Sequence, residues 1–340
     1  MPVFTPAYKN RDRRVKAEQS CCSIFLSTVS QGRTGQVREN NMITKEKDLN
    51  SYRLENEVFN IWINAEDGMN LYRLCYKNME VVSYQKERQE AGKTYGIPIL
   101  FPTPNRTKNS IFTFEGKEYS AKMHGMARNA PFLVTETGEK EIKSYITGCL
   151  KITEKNPLFK EYPFLCTLNI RISITGQELH YSYEVINDGF SNMPFGFGLH
   201  PFFNRLSDAE TISIQGGMVM ERYKQMLPTG RLVPAANTPY DLTEGKQVNK
   251  LELDDVYTGL LGEKKAVIEY PDFKVDIKTD SSFSHMVVYT PQTEKFFCVE
   301  PQTCSTDAIN LYDRGEKELS GLTVLSPGER KKGWVVFHFS

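Results

Sequence analysis

The amino-acid sequence predicts an all-β chain, built as one large antiparallel sandwich. Period-two alternation recurs along it, turn residues separate the alternating runs, and helix-period stretches are scarce and short. The strand–helix alternation that feeds a parallel sheet does not occur.

Each run supports that class in turn. IFTFEGKEYSAKM (111–123) reads as a hairpin around Glu115-Gly116. Leu168, Ile170, Ile172 and Ile174 alternate with Asn169, Arg171 and Ser173, the pattern of a half-buried strand. Gly176-Gln177 then turns the chain, and Leu179, Tyr181, Tyr183 and Val185 alternate with His180, Ser182 and Glu184 up to the turn Asn187-Asp188-Gly189. Phe273, Val275 and Ile277 alternate with Lys274, Asp276 and Lys278, and the C-terminal WVVFHFS suits a strand. No Pro-, Gly- or Ser-rich linker interrupts residues 51–340, which are expected to form a single domain. Residues 1–50 are polar and charged without sustained periodicity, and are expected to be a disordered extension or an edge addition.

Composition excludes several function classes. The chain has 340 residues, 39% of them hydrophobic, which is enough for a sizeable core. Its 42 basic and 42 acidic side chains cancel, which argues against nucleic acid as the main partner. No apolar run approaches the roughly 20 residues that span a bilayer, and SIFLSTV (23–29) lacks the core of a signal peptide. A soluble, cytoplasmic protein, monomer or homodimer, is expected. Seven cysteines at irregular spacing, with no CxxC pair, read as reduced thiols, so neither a metal site nor a cofactor is expected. Cys304 is read as a bystander rather than a nucleophile.

Four segments stand out as carriers of chemistry. GIPILFPTPNR (96–106) is a proline-stiffened loop ending in Arg106. MHGMARNAPF (123–132) sets a glycine directly after His124, with Arg128 following. FGFGLHPFFN (195–204) places His200 among four phenylalanines and two glycines. In CVEPQTCSTDAIN (298–310), Glu300 follows the apolar run FFCV and precedes Pro301. A carboxylate there is costly to desolvate unless it is paired, hydrogen-bonded or functional. Pro301 is expected to stop the ladder and leave Glu300 at a sheet end. On these segments alone His200 reads either as a satisfied core histidine or as a working acid, and Glu300 either as a base or as a strand cap pointing to water. Of the remaining histidines, His180 is expected on a solvent-facing strand surface, His338 in packing, and His285 has no clear place.

Taken together and in order, these segments resemble the aldose 1-epimerase (galactose mutarotase-like) family. The resemblance rests on NR (105–106), HG (124–125), HPFFN (200–204) and EPQT (300–303), with LDDVY (253–257) and LSPGE (325–329) in support, and covers residues 55–339. It implies a β-supersandwich and an isomerase that interconverts sugar anomers by acid/base ring opening. It implies Glu300 as general base, His200 as general acid, and His124 as a group that holds and polarises the sugar. Arg106 and Asp254, with Asn105 and Gln302, would bind hydroxyls, although Asp255 is a rival to Asp254. HGMAR is similar to a segment of the hexose-6-phosphate 1-epimerase branch, where Arg128 would meet phosphate, whereas PNR favours free sugar and makes Arg128 a loop anchor. A glycoside hydrolase would need two carboxylates about one bond and would leave both histidines idle. A non-catalytic carbohydrate-binding protein on the same fold is the alternative of a different class.

Overall fold

Alternating side chains sort this chain into sheets whose apolar faces meet. The computed structural model describes residues 42–46, 51–140 and 143–340. Cys166–Thr175 and Glu178–Asn187 form the expected hairpin, with Ile170 opposite Tyr183 and Gly176 at a positive φ of 52° in the turn. Leu168, Ile170, Ile172 and Ile174 are all buried, as are Leu179, Tyr181, Tyr183 and Val185. The hairpin Ile111–Phe114 and Lys117–Ser120 turns through Glu115 and Gly116, both at positive φ.

These pieces assemble into a nine-stranded antiparallel sheet. The C-terminal strand Arg330–Phe339 sits near its middle, paired with Glu178–Asn187 on one side and Lys274–Thr279 on the other. A five-stranded sheet runs in chain order from Met42–Glu46 to Met79–Val82. Met42–Glu46 is its edge, paired with Ser51–Glu55, and the rest of the 1–50 segment lies outside the described residues. Helices are few and short among the described residues: Lys86–Glu90, Ala308–Asp313 and Lys317–Ser320. None is long and apolar enough to cross a membrane.

An eight-stranded sheet carries the predicted chemistry. Its strand Phe296–Gln302 pairs with His285–Tyr289 on one side and with Gly198–Leu199 and Phe202–Asn204 on the other. Phe297 and Val299 join the main apolar core with Phe203, Ile61 and Ile172. Side chains alternate across a strand, so Cys298, Glu300 and Gln302 share the opposite face.

Two expectations need correction here. Glu300 is not at a sheet end: the strand continues through Pro301, with Glu300 opposite Val287 and Pro301 opposite Met286. The strand tolerates Pro301 because the ladder on its other side is broken between Leu199 and Phe202, where Pro201 also lacks an N–H. His338 is not a packing residue; it is about one-third exposed and lies 3.4 Å from Glu178. His180, half-buried on the same sheet face, also meets Glu178, at 2.9 Å. His285 is buried and structural, with Nδ1 2.8 Å from Ser284 Oγ and Nε2 3.1 Å from the Leu319 carbonyl.

Candidate active site

The first two predicted segments are locked together by backbone. Asn105 adopts a positive φ of 61°, and its carbonyl accepts the His124 N–H at 2.8 Å. Gly125 has a φ of 73°, and a Cβ there would lie 2.1 Å from the Phe101 carbonyl oxygen. Only glycine fits that contact, and it presses His124 against the proline-rich loop. Arg106 is held from behind: its carbonyl accepts the Asp307 N–H at 2.9 Å, and Asp307 Oδ1 accepts from Lys108 N–H at 3.0 Å.

The other two segments meet across the broken ladder. Gly198 pairs with Gln302 and Phe202 with Cys298, a register that brackets His200 directly opposite Glu300. His200 Nδ1 lies 3.3 Å from Glu300 Oε1. Both side chains are buried. The His200 ring stacks on Phe202 at 4.5 Å and 12°, and meets the His124 ring edge-on at 5.2 Å. The glycines of this stretch serve close approach: a Cβ on Gly196 would lie 2.1 Å from Cys304 Sγ, and one on Gly198 2.9 Å from Gln302 Cγ.

A cleft of about 190 Å³ opens over these groups, and Asn105, Arg106, His124, His200, Asp254 and Glu300 all line it. Asp254 and not Asp255 faces it. Arg106 Nη1 is 3.5 Å from Asp254 Oδ2, whereas Asp255 is buried in a fork with Arg222 at 2.8 and 3.4 Å. Gln302 is placed differently from its expected contact with sugar. It is fully buried beside the base, its Nε2 donating to Glu300 Oε2 at 3.0 Å. Arg128 does not line the cleft; it donates to the Gly92 carbonyl at 3.5 Å, and its own carbonyl lies against Gly68. A wider groove of about 700 Å³ on the nine-stranded sheet holds none of the predicted residues.

Burial dominates the electrostatics. Desolvation, reinforced by the nearby Asp254, holds the Glu300 carboxyl well above the usual carboxylate range, against the opposing pull of Gln302 and Arg106. Desolvation and then His124 and Arg88 push His200 well below an ordinary imidazole. His124 falls to about 3 through burial, Arg128 and Arg106, so it is neutral at physiological pH. Desolvation raises Asp254, with Arg106 working the other way. Burial pushes the Cys304 thiol up to about 12.

Sequence reasoning missed Arg88, Phe202's partner in the cleft wall. It sits on the helix Lys86–Glu90, its guanidinium 5.1 Å from the Phe202 ring and 4.9 Å from Phe296, with Nε donating to the Thr94 carbonyl at 2.8 Å. Nothing local to KERQE signals this, because the rings that hold Arg88 come from more than 100 residues away.

On this all-β supersandwich a buried carboxylate thus faces a buried imidazole in one cleft, with Arg106, His124 and Asp254 beside them. The aldose 1-epimerase family profile matches residues 74–338, and the chain belongs to that family. A galactose mutarotase-like protein from Clostridium acetobutylicum is similar in structure, with a TM-score of 0.79, 20% identity, and coverage of 88% of this chain and 98% of that one. Galactose 1-epimerase from Lactobacillus acidophilus superposes with a TM-score of 0.71 at 15% identity, covering 88% and 98%. In sequence the chain is 21% identical to YihR of Escherichia coli K12 over 252 residues, 72% of this chain and 80% of YihR. At these identities the structural likenesses speak for the fold.

Proposed function

We propose that the protein interconverts the α and β anomers of a free aldohexose. The observation that carries this reading is the His200–Glu300 pair, 3.3 Å apart across a broken ladder and open to the same cleft as Arg106, His124 and Asp254. Anomer exchange needs one proton removed from the O1 hydroxyl and one delivered to the ring oxygen O5. Glu300 takes the first and His200 gives the second. The C1–O5 bond breaks, the aldehyde forms, the C1–C2 bond rotates, and the ring closes on its other face with the protons returned. Each positioned acid or base contributes about 10²–10⁴-fold, so the two supply most of what this easy reaction requires.

The pair must carry a single proton. With two protons it has no base, and with none it has no acid. Burial favours that proton on Glu300 beside a neutral imidazole, and the working form, carboxylate with imidazolium, differs only by its transfer across the gap. Arg106, Asp254 and neutral His124 are the hydroxyl-binding groups, and Gln302 positions Glu300 from behind. Phe202 and Tyr289 supply apolar surface for the C–H faces of one pyranose.

A second reading, turnover of a hexose 6-phosphate, is favoured by Arg88, a cation in the cleft wall held by two aromatic faces. Anomer exchange followed by NMR on a panel of aldoses and their 6-phosphates tests both. Free sugars are expected to exchange faster with protein than without it. Sugar binding with no acceleration of any panel member would leave a non-catalytic binding protein.

A further inference from the structure

His200 and Glu300 have a third neighbour that neither reading uses. Cys298 lies two residues before Glu300, on the same face of the strand Phe296–Gln302, and opposite Phe202 in the ladder. A ring nitrogen of His200, the Cys298 sulfur and a Glu300 oxygen all lie within 4.8 Å of one another, and all three residues are buried. Neighbouring ligand atoms of a tetrahedral Zn²⁺ sit roughly 3.3–3.8 Å apart, given bonds of about 2.0–2.3 Å to nitrogen, oxygen and sulfur. The His200–Glu300 separation of 3.3 Å already meets that spacing, and the sulfur lies within 4.8 Å of both ligand atoms.

Independent features point to a ligand here. His200 Nδ1 is buried with no hydrogen-bond partner. Phe202 fixes the ring plane, and Gln302 occupies Glu300 Oε2 and leaves Oε1 facing His200 Nδ1. Such orientation of ligands from behind is what tightens metal sites. Cys298 and Glu300 come from one strand and His200 from the break in the neighbouring ladder, and the cleft reaches His200 and Glu300, so it offers an entry path and a fourth position for water.

We propose that His200, Cys298 and Glu300 form an inhibitory site for a soft divalent cation, Zn²⁺ above all. An imidazole, a thiolate and a carboxylate suit zinc over magnesium or calcium. The Cys298 thiol proton and the proton carried by the His200–Glu300 pair both leave to solvent, and the thiolate and carboxylate then balance the charge of the ion, which makes a neutral buried cluster. Zinc so held occupies the atoms that move the proton in the proposed reaction. The binding itself stands on geometry alone, and only its effect on turnover rests on the proposed function. The site escapes a spacing-based reading because Cys298 and Glu300 meet His200 through the sheet and not through a CxxC run.

Co²⁺ titration of the metal-free full chain tests the binding without reference to activity. A thiolate-to-cobalt charge-transfer band and tetrahedral visible bands should appear at one equivalent, disappear on adding Zn²⁺, and be absent in Cys298→Ser and Cys298→Ala. Zinc buffered against a chelator should inhibit anomer exchange competitively with sugar. The zinc concentration giving half inhibition should rise by roughly 100-fold or more in either variant, since loss of a supporting residue alone costs about 10–100-fold. Absence of a thiolate–cobalt band in the wild-type chain overturns the proposal, as does zinc inhibition of equal strength in the variants or activity that requires added zinc. A wild-type band with no anomer exchange by any sugar would leave the metal site standing and remove the proposed function.

Discussion

His200 Nδ1 and Glu300 Oε1 lie 3.3 Å apart because the ladder that should join their strands is broken by Pro201 and Pro301. The register continues through the break, so the two side chains face each other where backbone pairing is lost. Burial then works against both charges, raising the carboxyl and lowering the imidazole.

That arrangement carries a stability cost with a definite sign. A carboxyl whose folded pKa is raised leaves the folded state at full strength below its ordinary value of 4.5 and weakens it as pH rises toward the folded pKa. The weakening is at most about 1.4 kcal/mol per pH unit. Glu300→Gln removes it. Urea unfolding at pH 5 and pH 8 should therefore show the variant gaining stability relative to wild type at the higher pH. An identical difference at both values would mean that Glu300 is not held in its neutral form.

Asp254 should matter to binding more than to proton transfer. Asp254→Asn removes a charged acceptor beside Arg106, where such hydrogen bonds are worth about 1.5–3 kcal/mol. The expected result is a fall in kcat/KM of roughly 10- to 100-fold, mostly through KM. Asp255→Asn should instead lower stability, because it removes the buried carboxylate that holds the Arg222 guanidinium. Steady-state kinetics and thermal melts of both variants separate the roles, and an activity loss confined to Asp255→Asn would reverse them.

Much of this was legible in the sequence. The alternation at 168–185 predicted its hairpin because a sheet with one buried face imposes a period of two. Asp254 was chosen over its neighbour from the family motif, and Asp254 is the one of the two that lines the cleft. The strand end assigned to Glu300 was misread because a proline is judged by its own missing N–H, while its tolerance depends on whether the partner strand asks for one. Gln302 was read as a sugar ligand because the motif shows only adjacency in sequence, and the i, i+2 relation on one strand face places it beside Glu300 instead. Arg88 had no local signal at all.

Gly125 is the residue on which the His124 loop turns. Gly125→Ala brings a methyl group within 2.1 Å of the Phe101 carbonyl at a φ of 73°. The loop must move, at a cost of roughly 2–4 kcal/mol. Denaturant unfolding should show that loss together with reduced sugar affinity. A variant as stable as wild type would mean the backbone contact with Phe101 is not tight.

Arg88 separates the free-sugar and phosphorylated readings. Arg88→Ala should change exchange of a free aldohexose far less than that of the 6-phosphate, since no hydroxyl is assigned to Arg88 and it acts on His200 only from a distance, and should remove any preference for the 6-phosphate, a loss of roughly 10-fold or more for a charge-assisted pair. Competition between the two substrates in one NMR tube reads the ratio directly. A large, equal loss for both would make Arg88 part of the general architecture of the cleft.

The most direct measurement is anomer exchange in Glu300→Gln, followed by NMR at saturating sugar. Glutamine keeps the shape of the side chain but has no useful proton affinity. With Glu300 as the base, exchange falls by about 10²-fold or more while sugar affinity is nearly unchanged, because the lost interaction belongs to the transition state. Full activity in Glu300→Gln would contradict the base assignment and, with it, the reading of the His200–Glu300 pair as the proton-transfer centre.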